Sequence, residues 1–241
     1  MSSKVESGRL AKQEGHAFEF VLSKYLAEQF GIDFTVEGAS NTKVDITDNL
    51  GCVRFSVKNP SGKNTQIGLY TQQSFIHALD IKDQDIVDFI EMFFGGEKYS
   101  NYPRHRLTRS NIDSTLNQKF TDFLNNNKSK ILDLLATHGH NQVNNVNYML
   151  WATKKNDPTS VLLIDLNEFK KDLLQGEWIQ NETTFEFRVN NTKLFHLQMK
   201  GSGSKYTNGY HSLMFHVYKN FDDKYVKDLK IIEEFYSDSN I

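Results

Sequence analysis

Two different hydrophobic patterns follow one another in the first third of the chain. Apolar residues recur at helical spacing within residues 9–30, and Gly31 stands where a C-terminal glycine ends a helix. Residues 42–47 and 52–58 instead alternate apolar and polar positions, which is the period of a half-buried strand. The turn-forming segment DNLG separates these two strands, so the sequence predicts a helix followed by a hairpin.

Further helices and strands are mixed along the rest of the chain. Strands are predicted at residues 66–71, 147–155, 159–166, 183–190, 193–203 and 211–219, helices at 72–95, 112–136 and 166–174, and a helix or coil at 222–236. This order is typical of an α/β or α+β fold with a central mixed β-sheet flanked by helices. No repeat or long linker divides the sequence, so we expect one elaborated domain over residues 1–241.

The hairpin carries an acid and a lysine on its polar positions. Side chains alternate along a strand, so Asp45 faces away from its apolar neighbours in KVDI, and Ser56 and Lys58 do the same in FSVK. If the two polar faces coincide, Asp45 and Lys58 converge beside a buried sheet. A carboxylate there can hold Mg²⁺, and a lysine can orient a metal-bound water or stabilise the charge on a transferring phosphate.

The order of these residues resembles the PD-(D/E)XK, or restriction-endonuclease-like, nuclease superfamily. Its leading helix corresponds to GRLAKQEGHAFEFVLSKYL, its aspartate to Asp45, and its acid-x-lysine element to Ser56 and Lys58. The following segment, NPSGKNTQIGL, is similar to the loop and strand after the catalytic residues of type II restriction enzymes. The matching motif residues cover about positions 14–69, and the resemblance implies a restriction-endonuclease-like core at about residues 9–75.

The resemblance also implies a reaction and a set of roles. The protein would hydrolyse phosphodiester bonds in double-stranded DNA with Mg²⁺ as its cofactor, as a type II restriction endonuclease does. Asp45 would hold the metal with support from Glu19, and Glu14 is the second helical candidate. Lys58 would orient the nucleophile. Ser56 stands where the family usually has Asp or Glu, so it would give the metal a weak contact or none.

Several polar and basic residues are candidates for DNA contact. Within the predicted hairpin region 180–220, Gln198 can read adenine edges and Lys200 can reach guanine. Lys63 follows the catalytic strand, and a basic loop with interleaved tyrosines is suited to binding phosphates. The arginines of that loop are Arg104, Arg106 and Arg109.

The same C-terminal hairpin offers an alternative catalytic centre. Glu186 followed by Gln198 and Lys200 repeats the acid and lysine spacing, with glutamine in the neutral position. No acid-bearing helix directly precedes this copy, whereas one precedes Asp45. We therefore expect the first hairpin to carry the chemistry.

Composition narrows the other classes of function. Formal net charge is −2, which gives no global basic signal for nucleic acid and does not exclude a DNA enzyme. No apolar run reaches the length of a membrane helix, and the single cysteine, Cys52, excludes an internal disulfide, so a cytoplasmic location is expected. No phosphate-binding glycine motif appears, so no nucleotide cofactor is expected.

Two alternatives remain open from the sequence. One is a DNA-binding protein of the same fold that has lost cleavage, which the neutral Ser56 makes conceivable. The other is a repair, phage or mobile-element nuclease without a short recognition site. A homodimer is expected if the target is palindromic, but the sequence does not choose between monomer and dimer.

Overall fold

The structure is a computed structural model that describes residues 4–37, 44–60, 62–94, 112–137, 146–200, 212–221 and 223–237. In chain order its helices are α1 (Lys4–Phe30), α2 (Gln72–Ala78), α3 (Gln84–Phe93), α4 (Ser114–Asn126), α5 (Lys128–Leu132), α6 (Leu166–Leu173) and α7 (Ile231–Ser237). Its strands are β1 (Phe34–Val36), β2 (Ile46–Asp48), β3 (Arg54–Lys58), β4 (Asn64–Thr71), β5 (Tyr148–Ala152), β6 (Val161–Asp165), β7 (Glu177–Gln180), β8 (Thr184–Val189), β9 (Thr192–Lys200), β10 (Ser212–Tyr218) and β11 (Val226–Lys227).

The described chain forms two compact units. Unit 1 takes its residues from 1–65, 136–169 and 221–241, and unit 2 from 66–135 and 170–220. The expected single domain over residues 1–241 stays a prediction.

Unit 1 contains a six-stranded mixed sheet in the order β1-β2-β3-β5-β6-β11. Strands β3 and β5 are parallel, and Lys58 pairs with Trp151 in their register. The other neighbours in this sheet pair antiparallel. Because β3 and β5 run in the same direction, their carboxyl ends meet at one edge of the sheet.

The core of unit 1 joins helix α1 to this sheet. Phe18, Leu22 and Leu26 recur every four residues on α1, so they share one face of the helix, and all three are buried. They pack in one cluster with sheet residues that include Ile46 and Phe55. Burying each such side chain contributes about 1.5–3 kcal/mol, which explains why a helix with many charged residues keeps a fixed position on the sheet.

The predicted first hairpin is confirmed. Strand β2 pairs antiparallel with β3, with Ile46 opposite Phe55. The buried carboxylate of Asp48 closes the turn by accepting a hydrogen bond from the Val53 amide at 2.8 Å, and Gly51 adopts a positive φ of 69°. Residues 42 and 43 of the predicted strand lie outside the described residues.

Unit 2 contains a five-stranded sheet in the order β4-β10-β9-β8-β7. The predicted second hairpin is confirmed, since β8 and β9 pair antiparallel around Asn190 and Asn191. Both asparagines have positive φ, at 48° and 64°, which Asn tolerates better than most residues. Phe89 of α3 and Phe120 of α4 stack with ring centroids 4.3 Å apart, and Phe120 meets Phe185 of β8 edge-on.

The α+β class with a mixed sheet is therefore confirmed, and the structure adds a second, separate sheet. Strands β1, β7 and β11 were not predicted, because runs of two to four residues are too short for a period to emerge. Among the residues that the structure describes, no helix combines the length and the apolar character needed to span a bilayer.

Candidate functional site

The first hairpin brings Asp45 to the polar side of β3. The Asp45 amide donates to the Phe55 carbonyl at 2.8 Å, which extends the β2–β3 pairing by one residue. The Asp45 carboxylate oxygen Oδ2 then accepts a hydrogen bond from the Val57 amide at 2.6 Å and another from Ser56 Oγ at 3.2 Å. Backbone and side chain together hold this carboxylate in one orientation.

Lys58 points back along β3 toward the same carboxylate. Its Nζ lies 3.6 Å from Asp45 Oδ2 and donates to Ser56 Oγ at 2.7 Å and to the Val57 carbonyl at 2.9 Å. The side chains of Lys58 and Asp45 are 15% and 26% exposed, so this pair is partly shielded but reachable from solvent. The structure thus brings Asp45, Ser56 and Lys58 together, as the alternation of the two strands predicts.

Helix α1 carries Glu19 within electrostatic range of this cluster. It follows the buried Phe18 in the sequence, and its side chain is 17% exposed. Burial raises the pKa of the Glu19 carboxyl above its ordinary value, and the negative charge of Asp45 also raises it. The hydrogen bond with His16 and the positive charge of Lys58 act in the opposite direction. Because the charges of both hairpin residues act on Glu19, it belongs to the same electrostatic cluster.

His16 was missed by the sequence reading. Its Nδ1 lies 2.9 Å from Glu19 Oε2, and its ring also meets Phe20 edge-on at 4.9 Å. A signal was present, since residues three apart on a helix are neighbours. A neutral or charged histidine at this spacing can hold the Glu19 carboxylate in place.

Glu14 lies elsewhere on the surface of α1. Glu14 lies five positions before Glu19 in the helix, which turns the two side chains about 140° apart around the helix axis. Its carboxylate pairs with Lys155 Nζ at 2.6 Å, and both side chains are about half exposed. The role of Glu14 as a metal ligand stays a prediction that this pairing does not support.

Asp45 and Glu19 are the two carboxylates that this cluster offers to a metal ion. Within the described part of the chain, no group of three or more His, Cys, Asp or Glu residues converges on a metal position. Mg²⁺ is commonly held by one or two carboxylates, with water and substrate phosphates completing its shell. Among the described residues, the hydrogen bonds to the Asp45 carboxylate fall on Oδ2. The donor set therefore fits Mg²⁺ if the substrate completes it.

The alternative acid in the second hairpin has a different environment. Glu186 Oε2 accepts hydrogen bonds from Arg188 at 2.6 and 3.0 Å, and Glu186 Oε1 accepts one from Lys193 at 2.6 Å. Burial acts to raise the pKa of Glu186, but the hydrogen bonds from Lys193 and Arg188 outweigh it and lower the pKa to about 2. Both of its oxygens are thus engaged by cations, which favours Asp45 as the metal-binding acid.

Next to Glu186, two histidines stack across neighbouring strands. His196 pairs with both Glu186 and His216 in the register of the sheet, and the two imidazole rings are 4.7 Å apart. Burial and the nearby His216 and Lys193 lower the pKa of His196 to about 4. At neutral pH the ring is uncharged, so it adds no positive charge to this face.

The predicted DNA contacts lie in different parts of the molecule. Lys63 is exposed just before β4, and Gln198 on β9 is half-buried with its amide 3.4 Å from His216 Nε2. Lys200 ends β9, where it pairs with Ser212 in the register. The remaining candidates lie outside the described residues, namely Arg104, Arg106 and Arg109. All of these contacts stay predictions.

Comparisons with known proteins gave only structural matches. No protein family model matches the chain, and no curated protein matches it. The restriction endonuclease MspI in complex with its cognate DNA aligns with a TM-score of 0.47 and 9% identity, over 76% of this chain and 70% of that chain. The HhaI endonuclease in complex with DNA aligns with a TM-score of 0.39 and 12% identity, over 92% of this chain and 98% of that chain. Likeness at this level transfers no residue role and no activity to this chain.

Proposed function

We propose that the protein is a Mg²⁺-dependent endonuclease that cleaves double-stranded DNA at specific sites, as type II restriction enzymes do. The observation that carries this proposal is the cluster of Asp45, Ser56 and Lys58, in which the lysine ammonium lies 3.6 Å from the aspartate carboxylate. An acid that can bind a cation and a fixed lysine beside it are groups suited to metal-assisted phosphodiester hydrolysis.

Each residue of the cluster has a distinct task in this reaction. Asp45 and Glu19 would hold Mg²⁺, which when bound supplies a Lewis acid and a water of lowered pKa. Lys58 orients the attacking water or stabilises the negative charge that develops on the phosphate. His16 holds the Glu19 carboxylate through their 2.9 Å contact.

Ser56 is a neutral hydrogen-bonding residue at the position where the resemblance would place a charged metal ligand. Its Oγ donates to Asp45 and accepts from Lys58, so it holds the acid and the lysine at a defined separation. The missing charge lowers the affinity for a divalent cation, because hard cations prefer anionic oxygen ligands. We expect this enzyme to require a higher Mg²⁺ concentration than a Ser56→Asp variant that folds normally.

The neutral residue also favours a second candidate function, a DNA-binding protein that does not cleave. Among the described residues, no group of three or more His, Cys, Asp or Glu side chains could hold a metal ion. Such a protein would bind DNA specifically and leave it intact with either Mg²⁺ or Mn²⁺.

The test is incubation of the purified protein with unmethylated phage DNA, in Mg²⁺ and in EDTA, followed by gel electrophoresis. Discrete bands that require Mg²⁺ support a site-specific endonuclease, and sequencing of the ends gives the site. A smear or nicked circles would favour a nuclease without a short recognition site. Intact DNA with Mn²⁺ and low salt would instead favour the non-cleaving protein.

Site specificity also bears on oligomeric state. A palindromic site presents two equivalent half-sites, which a two-fold symmetric dimer matches. We therefore propose a homodimer if the mapped site is palindromic, and sedimentation of the protein with its mapped DNA site tests this.

A further inference from the structure

The loop after β5, residues Thr153–Ser160, lies at the edge of the sheet where the proposed active site stands. Strands β3 and β5 are parallel and neighbouring, and Lys58 at the end of β3 pairs with Trp151. The chain leaving β5 therefore emerges beside the chain leaving β3. In open sheets, ligands bind outside the carboxyl ends of parallel strands.

Hydrogen bonds give this loop a fixed shape. Its ends are joined by the Thr153 amide, which donates to the Ser160 carbonyl at 3.0 Å, and by Thr153 Oγ1, which donates to the same carbonyl at 2.8 Å. The Lys154 amide donates to Ser160 Oγ at 3.0 Å. The backbone that carries the Lys154 side chain is thus held in place.

A pair of asparagines ties the loop to the end of β3. Asn59, which directly follows Lys58, donates from Nδ2 to Asn156 Oδ1 at 2.6 Å. In return, Asn59 Oδ1 accepts a hydrogen bond from the Asn156 amide at 2.9 Å. Asn156 has a φ of 61°, a left-handed conformation that Asn tolerates. These two hydrogen bonds hold the loop close to the carboxyl end of β3, where Lys58 lies.

The charged side chains of the loop differ in their partners among the described residues. Lys155 is neutralised by Glu14 at 2.6 Å. Asp157 accepts hydrogen bonds from Thr159, and these bonds, together with the positive charge of Lys154, lower the pKa of Asp157. Lys154 is exposed, and among the described residues no side chain forms an ion pair or hydrogen bond with its Nζ.

We propose that the Thr153–Ser160 loop binds the phosphodiester backbone of DNA beside the scissile bond. Lys154 contacts the phosphate, and the hydrogen-bonded pair of Asn59 and Asn156 positions the loop that carries Lys154. The ligand class is the sequence-independent phosphate backbone. The assignment rests on the proposed function, because it takes Lys58 as the position of the cleaved bond.

The test measures how DNA affinity depends on salt. A short random-sequence duplex is titrated in EDTA, which prevents cleavage, from about 0.05 to 0.2 M salt. Loss of one phosphate contact lowers the slope of log K against log salt by about 0.9, and at about 0.1 M salt it weakens binding about eightfold. We expect this change for Lys154→Ala and none for Lys230→Ala, which alters another exposed lysine of unit 1. An unchanged slope in Lys154→Ala, or an equal loss in both variants, overturns the assignment.

A double-mutant cycle tests whether the Asn59–Asn156 pair positions Lys154. If Asn59 acts by positioning Lys154, Asn59→Ala weakens binding in the native chain and adds no further loss in the Lys154→Ala background. Additive losses would contradict a positioning role. Asn156→Gly keeps the positive φ while removing the Oδ1 acceptor, so it should weaken binding without lowering the melting temperature by more than a few degrees.

These outcomes separate the inference from the proposed function. If the native protein cleaves or specifically binds DNA, and Lys154→Ala has the same DNA affinity and salt dependence, only the role of the loop fails. If the native protein neither binds nor cleaves DNA, the proposed function fails with it.

Discussion

Replacing Lys58 by methionine removes the ammonium and keeps an unbranched stem of similar length. The change removes a charge 3.6 Å from Asp45 Oδ2 and a hydrogen bond of 2.7 Å to Ser56 Oγ. The Lys58 side chain is only 15% exposed, so an apolar replacement fits its surroundings. We expect the fold to persist.

The size of the effect on catalysis follows from the geometry. Opposite unit charges 3.6 Å apart attract by about 4.6 kcal/mol at an effective dielectric of about 20, before the costs of desolvation are subtracted. A single group aimed at a developing charge typically contributes about 100–1000-fold to kcat, which equals about 2.7–4 kcal/mol. We expect Lys58→Met to lower kcat within that range, with little change in DNA affinity.

The affinity for a divalent cation should rise in this variant, whereas kcat falls. Lys58 places a positive charge beside the proposed ligand Asp45, so its removal lowers the repulsion of a divalent cation. We expect Lys58→Met to bind Mn²⁺ more tightly than the native protein while it cleaves more slowly. A variant that merely damages the structure would not improve metal binding.

Three measurements on the purified variants give these quantities. Single-turnover cleavage reports the chemical step, Mn²⁺ titration by electron paramagnetic resonance reports metal affinity, and thermal melting reports stability. Lys227→Met is the matched control, because Lys227 pairs with Glu168 at 2.7 Å in the same unit and is 27% exposed. Native cleavage rates in Lys58→Met would refute the reasoning, as would equal losses of activity and stability in both variants.

Three further predictions concern the acid, the second hairpin and two glycines. Asp45→Asn should abolish Mg²⁺-dependent cleavage and keep DNA binding, measured by gel assay and by titration in EDTA; retained cleavage would exclude Asp45 as the metal ligand. Glu186→Gln should lower the free energy of unfolding by about 3 kcal/mol at neutral pH, because the pKa of Glu186 falls from 4.5 to about 2 on folding. That difference from the native protein should shrink as the pH of urea unfolding falls from about 4.5 toward about 2, since the lowered pKa stabilises only the ionised form; a constant difference would contradict it. Gly176→Ala should lower the melting temperature, because its new Cβ would lie 2.6 Å from the Arg188 carbonyl, whereas Gly15→Ala meets no atom within 4 Å and should raise it.

The alternation of the two strands was enough to predict that Asp45, Ser56 and Lys58 of the candidate site lie together. Asp45 and Lys58 occupy polar positions of neighbouring strands, and a pleated pair must bring such positions to one face. The choice between Glu19 and Glu14 also has a local cause. Glu19 directly follows Phe18, whose burial turns that part of α1 toward the sheet.

Other features depend on contacts that no local pattern reveals. Asn59 and Asn156 are 97 residues apart, and only the parallel pairing of β3 with β5 brings them together. The neutralisation of Glu186 was partly visible, since Arg188 lies two residues along the same strand and therefore on the same face. Lys193 joins it only because the hairpin turn returns the chain to that face.

The most direct test of the central claim is cleavage of supercoiled plasmid DNA by the native protein and by Asp45→Asn, followed over a Mg²⁺ titration. The account predicts linear products that appear with Mg²⁺ for the native protein, and intact supercoils at every Mg²⁺ concentration for Asp45→Asn. Equal cleavage by the two proteins, or cleavage by the native protein in EDTA, would contradict it.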